Sequence, residues 1–126
     1  MISCHKVEKK MLQELSCDII KKTKGGNKMA GTIKVIADVV ALPDKAAELE
    51  QLLVGLVQNS RQEAGNIQYQ LLKSSTDANQ YTFIEEWESQ AALGAHAATE
   101  DFKATTAKMA ALLQKKPQIR VFGVVL

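Results

Sequence analysis

From residue 32 onward the hydrophobic pattern of the chain switches between two periods. "TIKVIADVVA" (32–41) is β-branched and apolar, with charges only at Lys34 and Asp38, which predicts a strand buried on both faces. Leu49, Leu52, Leu53 and Leu56 then recur at i, i+3, i+4 and i+7, the apolar face of a helix. Pro43 and Asp44 open that helix, with Asp44 as its N-cap, and Gly65 ends it as the glycine just past a helix terminus. The period returns to two in "NIQYQLLKS" (66–74), where Ile67, Tyr69 and Leu71 oppose Gln68, Gln70 and Leu72. "TDANQ" (76–80) makes a turn, and "YTFIEEW" (81–87) alternates again. Tyr81, Phe83, Glu85 and Trp87 share one face; Thr82, Ile84 and Glu86 share the other. Ser89 caps a short helix that breaks near Gly94. Thr99 caps a longer one, with Glu100 and Asp101 in its first turn and Phe102, Met109, Leu112 and Leu113 as its apolar face. Lys115, Lys116 and Pro117 end it, and "QIRVFGVVL" (118–126) predicts a last strand.

The order β-α-β, then β-α-α-β, predicts an α+β fold: a ferredoxin-like βαββαβ antiparallel sheet with helices on one face. The first strand is apolar on both faces, Ile33, Val35 and Val39 against Ile36 and Val40. So is the last, with Ile119, Val121 and Val125 against Phe122, Val124 and Leu126. Helices on one side cannot cover both sets, and an uncovered apolar face of that size predicts a homodimer with two sheets packed face to face.

A chain of 126 residues fits one domain. No apolar run is long enough to span a membrane, and "MISCHKVEKKMLQELSCDII" lacks the continuous apolar stretch of a signal peptide. The net charge of +2 is uneven: the excess of lysine lies in residues 1–28, and the remainder is slightly acidic. That remainder has no basic run and no aromatic-basic interleaving, which argues against a nucleic-acid surface. Both cysteines, Cys4 and Cys17, also lie in the first 28 residues, so the body holds no disulfide framework and no thiolate metal site. This usage suits a cytoplasmic protein.

"KKTKGGNKMAGT" (21–32) is a break in composition. It separates residues 1–29, an N-terminal extension, from a patterned domain at 30–126. Two readings of the extension stand. Lys24-Gly25-Gly26 can be encoded by a purine-rich ribosome-binding sequence, which would make Met29 the natural start. Alternatively Val7, Met11, Leu15 and Ile19, spaced at i+4, form an added amphipathic helix.

"SRQEAGNIQYQLL", "YTFIEEWESQAALGAH" and "DFKA" together resemble the antibiotic biosynthesis monooxygenase family, with its quinol monooxygenases as the nearest subgroup. The E-x-G-x-x-x-Y element is Glu63, Gly65 and Tyr69; the E-x-W-x-S element is Glu85, Trp87 and Ser89, followed by His96. The resemblance covers residues 30–126. It implies a dimeric α+β barrel with a pocket between sheet and helices in each subunit. It implies oxidation of a small aromatic or quinol substrate with O2, and no flavin, haem or metal cofactor. Haem-degrading relatives of the same fold carry a ligating histidine in the helix after "FKA", near Thr106 here, and this helix has no histidine.

A histidine near neutral pKa suits proton transfer from a phenol or quinol, and His96 is the only histidine of the body, hence the candidate base. Its bland reading is an exposed or helix-capping histidine. Asn66 matches a position where family members bind a substrate oxygen, or simply follows a terminal glycine. Trp87 offers a flat wall to a ring, or packs the core. Tyr69 and Tyr81 are candidate donors to an oxyanion. Glu85 lies among apolar neighbours and needs a partner, with Arg61, Arg120 and His96 as candidates. Glu85 and His96 are too few for a catalytic zinc site. Two other functions remain open: an isomerase of a small phosphorylated dicarbonyl sugar, gripping phosphate through Arg61, Lys73 or Arg120, and a non-catalytic dimer binding a small molecule in a small closed cavity.

Overall fold

The computed structural model describes residues 31–126. The amphipathic stripe of residues 7–19 and both readings of the segment before Met29 therefore lie outside the described residues. The elements run β1 (Ile33–Val40), α1 (Ala46–Ser60), β2 (Asn66–Lys73), β3 (Gln80–Trp87), α2 (Gln90–Ala97), α3 (Glu100–Ala110) and β4 (Gln118–Gly123). The sheet order is β2-β3-β1-β4 with every neighbouring pair antiparallel, the ferredoxin-like α+β arrangement expected.

The three helices cover one face of the sheet. Ile33, Val35, Ala37 and Val39 of β1 meet Leu49, Leu53 and Leu56 of α1 and Phe102 and Met109 of α3 in a single core. Leu49 and Leu53 are fully buried, each stabilising the fold by roughly 1.5–3 kcal/mol. Leu53→Ala, which leaves a cavity under α1, costs about 2–5 kcal/mol.

Within one subunit the helix-side face of β1 is buried, and Lys34, Ile36, Asp38 and Val40 on the other face are half-covered, with Lys34 and Asp38 at 3.9 Å from Glu86 and Arg120. Three sequence expectations are corrected. Asp44 is not an N-cap. Its φ of 67° puts it in the left-handed region, which the short acidic side chain tolerates in a turn, so the cap position passes to Lys45, without a side-chain cap bond. Gly65 does not end α1, which stops at Ser60; it sits at a turn before β2 with φ 87°. Gly94 does not break α2, which runs through it.

Ser89 and Thr99 cap as expected, accepting from the backbone N–H of Ala92 and Phe102 at 3.1 Å each. The Thr99 hydroxyl also donates to the His96 carbonyl at 2.8 Å, so one side chain fixes both the end of α2 and the start of α3.

Candidate functional site

The inward residues of the sheet form rows across the strands. One row is Tyr69, Glu85, Val35 and Val121; the next is Leu71, Phe83, Ala37 and Ile119. Above these rows α2 supplies Leu93 and His96, and α3 supplies Phe102, Thr106 and Met109. Between the layers lies a cavity of about 40 Å³. Its walls are mostly apolar, and its polar side chains are Tyr69, Glu85, His96 and Thr106.

His96 is 1% exposed, which removes the reading of a surface histidine. Its Nδ1 lies 3.0 and 3.2 Å from the two carboxyl oxygens of Glu63, in the turn after α1. Its Nε2 is buried and has no hydrogen-bond partner among the described residues. The ring stacks at a tilt on Trp87, centroids 4.5 Å apart, and meets Phe102 edge-on at 4.8 Å. Burial lowers the His96 pKa to about 4. Burial, and then the charge of Asp101, raises Glu63 to about 7. The imidazole is therefore uncharged at neutral pH, and the contact is a hydrogen bond to a carboxyl group rather than an ion pair. With Glu63 ionised, Nδ1–H donates and Nε2 holds a free lone pair.

Glu85 takes none of the partners expected. Arg61 donates from Nε to the Tyr69 carbonyl at 2.9 Å, Arg120 lies beside Asp38, and His96 is engaged by Glu63. Glu85 instead accepts from Trp87 Nε1 at 2.9 Å. Burial raises its carboxyl to about 7, against the opposing pull of hydrogen bonds from Trp87 and Tyr69. Burial, then Glu85, pushes the Tyr69 phenol well above its usual range. A carboxyl group held by an indole N–H and raised to about 7 stands where the sequence suggested an ion pair.

Of the six candidate residues, His96, Tyr69 and Glu85 line the cavity. Trp87 lies one layer behind, fully buried, and backs the His96 ring, so it packs the core. Tyr81 and Asn66 do not reach the cavity. Tyr81 turns toward α1, its hydroxyl donating to Glu50 at 2.9 Å. Asn66 donates to the Gln68 carbonyl at 3.1 Å at the outer strand edge, beside the register shift between Asn66 and Gln68. Glu63 was missing from the candidates, although the E-x-G-x-x-x-Y element contains it. Gly65 explains its placement: a Cβ there would come within 2.6 Å of the Ala92 Cβ. Only glycine lets the turn carrying Glu63 press against α2.

Among the described residues, no group of three His, Cys, Asp or Glu side chains is placed to hold a metal ion. No described helix is long and apolar enough to cross a membrane.

The sequence profile of the antibiotic biosynthesis monooxygenases matches residues 32–108. The chain belongs to this family. Protein sll1783 of Synechocystis, uncharacterised, is 33% identical over 96 residues, 76% of this chain and 61% of its own length. YcnE of Bacillus subtilis, named as a candidate monooxygenase, is 37% identical over 71 residues, 56% of this chain and 75% of YcnE. PA3566 from Pseudomonas aeruginosa has a crystal structure that superposes with a TM-score of 0.72 at 35% identity, covering 79% of this chain and all of that one. The present chain thus spans under two thirds of sll1783 but the whole of PA3566.

Proposed function

We propose that the protein is a cofactor-independent monooxygenase that oxidises a small hydroquinone or phenol with O2 to a quinone, acting as a homodimer. The observation that carries this reading is the buried Nε2 of His96, unpartnered on a ring whose other nitrogen is anchored by Glu63. A phenolic O–H can hand its proton to that nitrogen. The Glu63 carboxylate then balances the imidazolium charge, which a buried ring could not carry alone. The phenolate is electron-rich enough to reduce O2 itself. One oxygen atom enters the ring and the other leaves as water, so a phenol and O2 give a quinone and H2O, and a hydroquinone and O2 give a hydroxyquinone and H2O. The apolar walls keep out solvent that would compete for the anion and the proton.

The size of the cavity narrows the substrate. About 40 Å³ is far below the roughly 300–1,000 Å³ of pockets that enclose drug-sized ligands. A ring enters only if the walls yield, which favours single-ring substrates. The same small volume supports a second reading, a non-catalytic dimer that binds a small molecule. The isomerase reading loses support, because among the described residues no Lys or Arg lines the cavity.

The test is oxygen uptake by metal-stripped protein with single-ring hydroquinones, naphthoquinols and anthrones, with His96→Ala beside wild type. Uptake above autoxidation that falls about tenfold in the variant, about 1.4 kcal/mol of transition-state stabilisation, supports the reaction and the base. Uptake retained by the variant removes His96 as the base. No uptake with any substrate leaves the non-catalytic dimer.

A further inference from the structure

We propose that Glu85 is a second catalytic residue: the acid that protonates the outer oxygen of a ring-bound peroxide and then, as a carboxylate, takes the proton of the ring carbon that carries it. The proposal rests on the monooxygenase reading.

The stoichiometry asks for such a group. The oxygen atom that leaves as water needs two protons. One is the phenolic proton, which His96 Nε2 takes. The other comes from the ring carbon that O2 attacks. His96 is already loaded when that second proton moves, and its Nδ1 is engaged by Glu63. The O–O bond raises the same need one step earlier. Breaking it in a peroxide anion would expel a doubly charged oxide, so the outer oxygen must first gain a proton.

The cavity offers few candidates. Among the described residues its polar side chains are Tyr69, Glu85, His96 and Thr106. The Thr106 hydroxyl donates to the Phe102 carbonyl at 2.8 Å. Burial, then Glu85, pushes the Tyr69 phenol well above its usual range and makes it a poor acid. Glu85 remains. It stands on β3, in the sheet wall, whereas His96 stands on α2, in the helix wall. A ring between them meets a base on one side and an acid on the other. One indole fixes both groups: Trp87 Nε1 donates to Glu85 Oε1 at 2.9 Å, and the Trp87 ring lies 4.5 Å from the His96 ring. With Oε1 accepting, the acid proton belongs on Oε2. Burial raises this carboxyl to about 7, so it can give and retake a proton near neutral pH.

The steps balance. The phenolate passes one electron to O2, and the ring radical and superoxide join as C–O–O⁻. Glu85 protonates the outer oxygen. Its carboxylate then takes the C–H proton; the freed electron pair forms C=O as the O–O bond breaks and hydroxide leaves. The imidazolium protonates hydroxide to water, and both residues return to their starting states. These steps follow the consumption of O2, so they govern the product rather than the uptake.

The test counts products with a single-ring hydroquinone as the probe and the autoxidation blank subtracted. Coupled turnover gives hydroxyquinone and water. Uncoupled turnover, in which the semiquinone passes its second electron to superoxide, gives the unhydroxylated quinone and hydrogen peroxide. Glu85→Gln still accepts from Trp87 but has no proton to give. It should lower the hydroxyquinone formed per O2 consumed by roughly 100-fold, the low end of acid–base catalysis, with hydrogen peroxide in its place. Glu85→Asp keeps a carboxyl set back by one methylene; it should give an intermediate ratio, and it serves if the first variant does not fold. A merely structural part would lower uptake and product together, so an unchanged ratio in either folded variant overturns the role of Glu85 and leaves the monooxygenase reading standing. No uptake by wild type removes that reading and the role of Glu85 with it.

Discussion

His96 Nδ1 lies 3.0 Å from Glu63 Oε1, although the two residues are 33 positions apart in the chain. One sits in the turn after α1, the other in the last turn of α2. Their contact fixes which imidazole nitrogen is free. When Glu63 is ionised it accepts from Nδ1–H and leaves Nε2 basic; when Glu63 is protonated it donates to Nδ1, and the ring proton moves to Nε2.

This sets the pH dependence of the proposed reaction. Glu63 titrates at about 7, so kcat/KM should rise as pH climbs through about 7 and level off above it. Glu63→Gln cannot ionise and should lose that inflection together with most of the rate. A pH–rate profile of wild type and variant, read with a substrate whose own ionisation is known, checks it. An unchanged inflection in the variant removes Glu63 from the mechanism.

Glu85 should make stability fall with pH. Its folded pKa of about 7 lies above the ordinary 4.5, so its contribution is fully present below about 4.5 and is lost as pH rises through about 7. His96 acts oppositely. Its pKa falls from 6.5 to about 4, so its contribution is present above about 6.5 and lost as pH falls through about 4. Comparing Glu85→Gln with wild type isolates the first effect. The variant should gain stability relative to wild type between pH 5 and 8, on the order of 2–3 kcal/mol. Urea denaturation at several pH values measures it, and parallel curves would count against a buried protonated Glu85.

Two glycines predict opposite outcomes. Gly65→Ala forces a side chain into a left-handed backbone and against Ala92, costing roughly 1–3 kcal/mol. Gly94→Ala meets nothing within 4 Å in a helix interior and should stabilise by up to about 1 kcal/mol. Thermal melts of the two variants decide. In an Ala92→Gly background the cost of Gly65→Ala should shrink but not vanish, since the backbone strain remains.

The outer sheet face tests the proposed homodimer. Ile84 faces away from the helices, half-buried, across from Ile36. Burying a new charge there is unfavourable unless it is paired. Ile84→Lys should therefore shift the protein toward monomer in sedimentation velocity while the helix-side core melts nearly as in wild type. A variant that sediments like wild type would place the interface elsewhere.

The residues differ in how far they could be read from the chain. Thr99 and Ser89 were legible as caps, because capping is decided within three residues. The alternation of Tyr81, Phe83, Glu85 and Trp87 gave their shared buried face correctly, because strand period is local. Asp44 misled for a local reason too: the same short acidic side chain suits an N-cap and a left-handed turn, and sequence does not choose between them. Glu85 was recognisable as a carboxyl needing a partner, but its partner is the indole of its own strand, two residues on, rather than a cation.

The chain by itself determined the order of elements, the antiparallel α+β class and the inward face of β3, since periodicity and caps act over a few residues. Tertiary structure decided the rest. Glu63 meets His96 only because the Gly65 turn packs against α2, and Ala37 borders a cavity only because Phe83 and Ile119 stand beside it on other strands. Those distances belong to packing between segments far apart in sequence. Burial, which moves the ionisation of Glu63, Glu85 and His96, exists only once those segments have met.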